Sequence, residues 1–335
     1  MKAYELQPRD GFAALTLVDR PTPGALGPHD VRIGVRATSL NYRDLAILRA
    51  APGRKKVVIP VSDGAGEVLE VGAQVTRVGV GDRVAGSFFP TWVDSHIEAT
   101  HHANALGGSI DGMLAEQVVL PDTGVVKLPD YLSFEEGATL PCAGLTAWHA
   151  LFEATQVRAG DTVLVQGSGG VSIFALQLAR AAGARVIATT SSPAKAARLT
   201  EMGAAAVIDY KQTPEWGDAV HAAAGGGVDL AVEVGGAGTF DQSVKALRFG
   251  GTMGLIGVLT GTQGPINTHA AVHKSIHVHG IYVGSLAMFE RFTRALEVTR
   301  LAPVIDRTFS FAAARDAYEH LASGAHFGKV VITGA

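Results

Sequence analysis

The residues of this chain that are spaced for chemistry begin at Gly167. Gly167-Ser168-Gly169-Gly170-Val171-Ser172 follows a β-branched apolar run, Thr162–Val165, and opens an amphipathic helix over Val171–Ala182. Glycines at such a turn let the backbone approach a pyrophosphate, and the N–H groups and positive end of the helix hold its charge. Two glycines of the Gly-x-Gly-x-x-Gly fingerprint stand at Gly167 and Gly169, but the third place is Ser172. Gly183 ends the helix and a second apolar run, Arg185–Thr189, starts at once. The stretch is a strand-turn-helix-strand unit of about 30 residues, the size of one parallel crossover. That context favours a dinucleotide site over a purely structural turn.

The end of the second apolar run bears on which nucleotide binds. NAD sites place Asp or Glu there to accept from the ribose 2′-OH. Here stand Thr189-Thr190-Ser191-Ser192, with no carboxylate before Glu201. Small hydroxyls leave room for a 2′-phosphate and can donate to it. Lys195 follows Ser191 by one helical turn; it reads either as a phosphate ligand or as a solvated helix residue. Val234-Gly235-Gly236-Ala237-Gly238 and Ile256-Gly257-Val258-Leu259 follow two later strands, at carboxyl ends where ligands lie in open α/β sheets. The first is expected near the adenosine and the second near the nicotinamide; plain turn chemistry is the alternative for both.

The chain that must position these groups has 335 residues, 47% hydrophobic and 18% charged, enough for two domains each with a core. A net charge of −3 gives no sign of a nucleic-acid partner. No run reaches the roughly 18 apolar residues of a membrane span. The start, MKAYELQPRDG, lacks the apolar core of a signal peptide. A single cysteine, Cys142, leaves no internal disulfide and fits a reducing, cytoplasmic setting.

The first 125 residues read as β-rich. Val31–Ala37 alternates as a half-buried strand does, and Asp63–Gly72, Gly81–Gly86 and Asp111–Leu120 are short strands punctuated by glycine. Phe88–Gly108 has no clear period and reads as a long loop. Ser133-Phe134-Glu135-Glu136 has the capping-box pattern, and Cys142–Leu151 is helical in pattern. After the opening unit come helix Pro193–Met202, strand Ala206–Asp209, helix Glu215–Ala224, strand Asp229–Val234, helix Gly238–Leu247, strand Gly251–Ile256 and a last strand over His277–Val283. Strands and helices in that alternation make an α/β, doubly wound parallel sheet. His273, His277 and His279 then fall on one face of a strand, as a metal site or an edge. Helix Met288–Arg300, a strand pair at Pro303–Asp306 and Thr308–Ser310, helix Phe311–Ser323 and strand Lys329–Thr333 do not extend the series. They are expected to pack back on the N-terminal part, so that residues 126–284 are inserted between 1–125 and 285–335.

Several motifs in order make the whole chain resemble the medium-chain dehydrogenase/reductase superfamily: Asn41-Tyr42-Arg43-Asp44-Leu45, Asp63-Gly64-Ala65-Gly66-Glu67-Val68, Gly81-Asp82-Arg83-Val84, Leu140-Pro141-Cys142-Ala143-Gly144-Leu145-Thr146-Ala147, Gly167–Gly170 and Gly328-Lys329-Val330-Val331-Ile332. The resemblance implies a GroES-like catalytic domain (1–125 and 285–335), a Rossmann domain (126–284), hydride transfer in the cleft between them, and a homodimer paired through the last Rossmann strand. Zinc-dependent members carry Cys at the place of Asn41 and His-Glu at that of Ser62-Asp63; Cys142 matches the third ligand position. The lobe that binds structural zinc in those members has four cysteines, and Phe88–Gly108 has none. His96, His101 and His102 in that stretch read as solvated loop rather than ligands.

The chain therefore looks like the zinc-free quinone oxidoreductase branch, whose sequences often carry an alcohol dehydrogenase label, and no metal is expected. Tyr210 matches a tyrosine that contacts the 2′-phosphate in related NADPH-dependent reductases, which points to NADP(H). Without a metal, hydrogen-bond donors must stabilise the developing oxyanion. The candidates are Asn41, which matches an asparagine lining the nicotinamide pocket, with Tyr42, Ser62 and Thr146; Tyr42 is a proton source or a packing residue. Asp44 is expected to orient its neighbours. Phe88, Phe89 and Trp92 form a substrate wall or ordinary core, and Cys142 is a small buried residue. The expected reaction is hydride transfer from NADPH to a quinone or α,β-unsaturated carbonyl. Reduction of a simple aldehyde or ketone, and NADPH binding without turnover, are the alternatives.

Overall fold

The computed structural model describes residues 1–261 and 263–334. Contacts divide the chain into two units, Met1–Leu145 with Val283–Ala335, and Thr146–Tyr282. The first unit begins with the antiparallel pair β1 (Lys2–Leu6) and β2 (Leu15–Asp19). It continues through β3 (Asp30–Leu40), α1 (Tyr42–Arg49), β4 (Asp63–Val71), β5 (Arg83–Gly86), α2 (Ala99–His102), β6 (Gln117–Pro121), β7 (Val125–Lys127) and α3 (Phe134–Gly137). Val31, Ile33, Val35 and Ala37 of β3 are buried while the residues between them are less so, the period of two that the alternating sequence requires.

The first division of the chain falls at Leu145, later than the expected 125. Strand β7 pairs with β5, and α3 packs on β3 and β4, so residues 126–145 share the first unit's contacts. Residues 111–116 are also not the strand their pattern suggests. Gly112 and Met113 donate their N–H groups to Ile59 O and Val61 O, at 2.7 and 2.7 Å, instead of to a ladder partner. A Cβ on Gly112 would stand 2.2 Å from Val61 O, so only glycine permits this approach. In the 88–108 stretch, Phe88, Phe89 and Trp92 are buried and meet edge to face, at 4.6 and 5.9 Å. Core packing, the alternative to a substrate wall, is what the structure gives them.

The second unit follows α4 (Leu145–Trp148), within which the units divide. It alternates β8 (Thr162–Gln166), α5 (Gly170–Ala181), β9 (Arg185–Thr190), α6 (Pro193–Glu201), β10 (Ala206–Asp209), α7 (Trp216–Ala224), β11 (Val228–Glu233), α8 (Ala237–Ala246), β12 (Leu247–Leu255), α9 (Thr268–His273) and β13 (His277–Gly280). All pairings are parallel, in the order β10-β9-β8-β11-β12-β13. Every residue of β8 is buried, as befits a central parallel strand covered on both faces. The chain winds outward from β8 in both directions, so the switch point lies at its carboxyl end, where the Gly167 turn begins. His273 closes α9 rather than lying on a strand, because Asn267 caps that helix by accepting from Ala270 N–H at 3.1 Å. His277 and His279 do sit on β13 and are exposed.

The chain then returns to the first unit with α10 (Leu286–Thr299), β14 (Ile305–Ser310), α11 (Ala314–Ala322) and β15 (Lys329–Thr333). The expected strand pair at 303–310 is one strand, β14, which runs parallel to β15 past a bulge at Ile305/Arg307. Strand β15 pairs antiparallel with β3, Val330 facing Leu40. No helix among the described residues is long and apolar enough to cross a membrane.

Candidate active site

The Gly167 turn is shaped for a ligand. Gly167 has φ +71°, the left-handed conformation that glycine takes without strain. A Cβ on Gly167 or on Gly169 would meet nothing within 4 Å, so the space over the turn is open. Gly169 caps α5 with no side chain on the first N–H groups of that helix. Gly170 and Val171 are partly exposed there, while Ser168 is buried. The serine in the third fingerprint place has its own work. Ser172 Oγ donates to Gln166 O at 2.6 Å and ties the first turn of α5 to the end of β8. A buried hydroxyl with that partner fits where a third glycine would merely be small.

At the end of β9, Thr190 is buried and Ser191 half-buried. Ser192 caps α6 by accepting from Lys195 N–H at 3.4 Å, which sets Lys195 in the first turn of the helix. Tyr210 N–H donates to Thr190 O at 3.2 Å, and the Tyr210 side chain is exposed. Thr190, Ser191, Lys195 and Tyr210 thus share one corner of the sheet.

The two later loops interlock. Ile256 and Gly257 both donate N–H groups to Glu233 O at 2.9 Å. Thr260 Oγ1 donates to Gly235 O at 2.9 Å and accepts from Gly238 N–H at 2.9 Å. A Cβ on Gly257 would lie 2.0 Å from the Val234 carbonyl carbon, so Gly257 is glycine because backbone passes there. Val258 is exposed beyond it. Glu233, Gln166 and Thr260, which hold these loops, escaped the sequence reading. Its one available signal was the carboxylate ending an apolar strand in VDLAVE.

In the first unit, Asn41 caps α1 and its N–H donates to Asp44 Oδ2 at 2.7 Å. Asp44 is buried, and its Oδ1 has no hydrogen-bond partner among the described residues; the Tyr318 hydroxyl on α11 has none either. Burial pushes the Asp44 carboxyl up to about 6, against the pull of Arg43, the Asn41 N–H and Lys329. Asp63, at the start of β4, is wholly buried. Its Oδ1 accepts from Ser62 Oγ at 2.7 Å and its Oδ2 from Cys142 N–H at 3.1 Å. Lys329 Nζ donates to Leu40 O at 2.7 Å and to Asn41 Oδ1 at 2.5 Å, and stands 3.9 Å from Asp63 Oδ2. Burial raises the Asp63 carboxyl while Lys329, Asn41, Ser62 and Cys142 N–H pull it back.

The structure thus brings Asn41, Ser62, Asp63 and Cys142 into one cluster and adds Lys329. The sequence marked that lysine by its place at the head of the apolar strand KVVIT and in the motif Gly328-Lys329-Val330-Val331-Ile332, without giving it a role. Tyr42 does not join the cluster. It is exposed on α1 with the Arg49 guanidinium 5.8 Å from its ring centroid. Thr146 is buried in α4.

A zinc site needs thiolate, imidazole or carboxylate ligands around an open position. Both Asp63 oxygens already accept hydrogen bonds. Burial, and then the Asp63 charge, push the Cys142 thiol up. No group of three or more His, Cys, Asp or Glu residues gathers as a metal site among the described residues. The other polar groups around Asp63 are an amide, a hydroxyl, a backbone N–H and an ammonium.

A doubly wound sheet with a glycine turn at its switch point, in a chain that also carries a β-rich unit, defines the class of nucleotide-binding α/β proteins. Residues 27–130 match the family model described as alcohol dehydrogenase GroES-like domain, and residues 170–300 match the zinc-binding dehydrogenase model. The chain belongs to the medium-chain dehydrogenase/reductase superfamily and is an NAD(P)-dependent oxidoreductase. A zinc-type alcohol dehydrogenase-like protein of Schizosaccharomyces pombe is 40% identical over 333 residues, covering 96% of each chain. A quinone oxidoreductase of Pseudomonas aeruginosa is 30% identical, covering 92% of this chain and 93% of its own. Among solved structures, a Sinorhizobium meliloti protein named as an alcohol dehydrogenase is 39% identical with TM-score 0.92, covering 99% and 98% of the two chains. A mycobacterial protein solved with NADPH is 27% identical with TM-score 0.83, covering 100% of both, and an alcohol dehydrogenase named as NAD-dependent is 31% identical with TM-score 0.89, also covering 100% of both.

Proposed function

We propose that the protein is an NADPH-dependent reductase of quinones or α,β-unsaturated carbonyls that works without zinc. One observation carries the reading: around Asp63 stand an amide, a hydroxyl, a backbone N–H and an ammonium, where a catalytic metal would need ligands. Similarity to a protein named quinone oxidoreductase and to one solved with NADPH supports it. When bound, NADPH supplies a hydride from C4 of its dihydronicotinamide. In this reading Gly167, Ser168, Gly169, Gly170 and Val171 hold the pyrophosphate on backbone N–H groups. Thr190, Ser191, Lys195 and Tyr210 take the 2′-phosphate. Gly235 lies by the adenosine, and Gly257 with Val258 by the nicotinamide. Asn41, Ser62 and Thr146 supply polar contacts for the substrate oxygen, Tyr42 is the proton source, and Asp44 orients Asn41 through its N–H. The enzyme works in the cytoplasm as a homodimer joined along β13, the exposed edge strand.

A panel of quinones, enones, aldehydes and alcohols, run with NADPH and with NADH beside metal analysis, tests the reading. Turnover of quinones or enones with NADPH and substoichiometric zinc is expected. Aldehyde or alcohol turnover alone would establish the alcohol dehydrogenase reading that the relatives' names favour. Silence across the panel despite tight NADPH binding would leave a binding protein. One zinc per chain whose removal abolishes activity would overturn the mechanism. Lys195→Ala is expected to raise KM for NADPH about tenfold and leave KM for NADH unchanged; an equal change in both refutes its phosphate role.

A further inference from the structure

A carboxyl group without a cation lies at the heart of the second unit. Glu233 ends β11 and is wholly buried. Its Oε1 accepts from Gly235 N–H at 2.7 Å, Gly236 N–H at 2.9 Å and Thr239 Oγ1 at 2.6 Å. Its Oε2 accepts from Gln166 Nε2 at 2.6 Å and from Ser243 Oγ. Gln166 Nε2 also donates to Ser243 Oγ at 2.6 Å, while Gln166 Oε1 accepts from the N–H groups of Val234 and Gly235 at 3.2 and 3.3 Å. Among the described residues no lysine, arginine or histidine pairs with Glu233, so neutral donors alone satisfy it.

The placement of those donors is what matters. Gln166 is the residue immediately before Gly167, and its carbonyl holds Ser172. Gly235 and Gly236 belong to the loop after β11. The backbone carbonyl of Glu233 holds Ile256 and Gly257. One residue, with Gln166 as its bridge, therefore ties together the glycine turn, the second loop and the third. None of these bonds leaves the unit, and all are buried or half-buried, so water does not compete for them. Gly236 has φ +97°, and a Cβ on Gly235 would stand 2.0 Å from Thr239 Oγ1. A loop of such conformational freedom needs an anchor to keep one shape.

We propose that Glu233, acting through Gln166, is the positioning residue of the nucleotide cradle: it fixes the loops at 234–238 and 256–258 relative to the Gly167–Gly170 turn, so that a dinucleotide meets a preformed surface. The inference rests on reading those three loops as the nucleotide site. A loop that holds the binding shape only a fraction of the time weakens apparent affinity by that fraction. Glu233→Gln keeps the size of the side chain but turns an amide NH2 toward donors.

The test is fluorescence titration of full-length wild type and Glu233→Gln with NADPH and with NADH, at a temperature where far-UV circular dichroism shows both folded. Amide exchange over residues 165–172 and 233–240 is read on the same samples. Kd for the nucleotide is expected to rise about tenfold, with faster exchange in both segments before ligand is added. Unchanged Kd in a folded variant overturns the proposal and assigns Glu233 a purely structural role. Faster exchange in 233–240 alone overturns the coupling to the glycine turn. Should Glu233→Gln fail to fold, Thr239→Val, which removes a single donor, is expected to weaken binding about threefold, and no change there overturns the proposal. A wild type that binds neither nucleotide overturns the underlying site reading, an outcome distinct from equal binding by wild type and variant.

Discussion

Two buried carboxyl groups, one in each unit, are satisfied in opposite ways. Asp63 takes a hydroxyl from its neighbour Ser62, a backbone N–H from Cys142 and the ammonium of Lys329 at 3.9 Å. Among the described residues Glu233 takes no cation; Gly235, Gly236, Thr239 and Ser243 follow it within ten residues of loop and helix, and Gln166 completes the set. A buried charge must be paired or richly hydrogen-bonded, and Asp63 and Glu233 show the two solutions. An ion pair concentrates the cost of error in one partner, whereas five neutral donors spread it. The cluster around Asp63 is therefore the more brittle of the two, and the loops around Glu233 are the more finely shaped.

Removing the cation is the strongest way to break that contrast. Lys329→Met leaves the Asp63 carboxylate buried without its countercharge, and urea unfolding of the first unit is expected to lose about 3–5 kcal/mol. Burial already raises the Asp63 carboxyl, and losing Lys329 raises it further. A buried acid with a raised pKa favours the folded state while protonated and loses that advantage as pH rises through its folded value. The deficit of Lys329→Met is thus expected to be larger at pH 8 than at pH 5. A deficit under 1 kcal/mol at both, measured by urea midpoints and slopes, would mean the neutral donors suffice for Asp63 as they do for Glu233.

The same contrast explains what the sequence disclosed. The six-stranded sheet and its glycine turn were legible because each crossover is local: strand, turn and helix follow within a few tens of residues and carry their own periods. Thr190, Ser191 and Lys195 come to one corner of that sheet for the same reason. The Asp63 cluster joins residues 41, 62, 63, 142 and 329 through antiparallel pairing of β15 with β3. No local period records that a lysine at the head of one strand will face the end of another. Resemblance to a family placed Asn41, Ser62 and Cys142 together and included Lys329 in one of its motifs, yet neither it nor the spacing gave that lysine a place beside Asp63. Residues 111–116 misled for the converse reason: their alternation is that of a strand, but Gly112 lets the chain press against Val61, and contact took the place of pairing.

A middle-sized effect separates the buried acid that has a cation from the one beside it that lacks a full set of donors. Among the described residues the Asp44 carboxyl accepts only from Asn41 N–H, and burial moves it from 3.8 to about 6. Arg43, Lys329 and Asp63 face it from its own helix, from β15 and from β4, and Tyr318 lies against it from α11. The folded chain binds this proton more tightly than the unfolded one. The resulting stabilisation is complete below pH 3.8 and lost as pH rises through about 6; the span corresponds to about 3 kcal/mol. Asp44→Asn has no such titration. Urea midpoints of variant and wild type, compared from pH 4 to pH 7 (about the window of that titration), are expected to shift in the variant's favour by most of that amount. Parallel pH curves would show that Asp44 does not titrate in this range.

The smallest effect probes the backbone-built side. At Gly167 an added methyl meets no atom within 4 Å, so steric overlap inside the protein contributes nothing. What remains is the left-handed backbone, φ +71°, which costs an alanine about 1–2 kcal/mol. That is well below the expected loss at Lys329, because no charge is orphaned. The methyl does enter the open space over the turn, where backbone N–H groups would face a pyrophosphate. Gly167→Ala is thus expected to melt only slightly earlier than wild type yet to bind NADPH and NADH equally less well, since both carry the same pyrophosphate. Loss of NADPH binding alone would move the pyrophosphate away from Gly167, and unchanged binding of both would remove the turn from the cradle altogether.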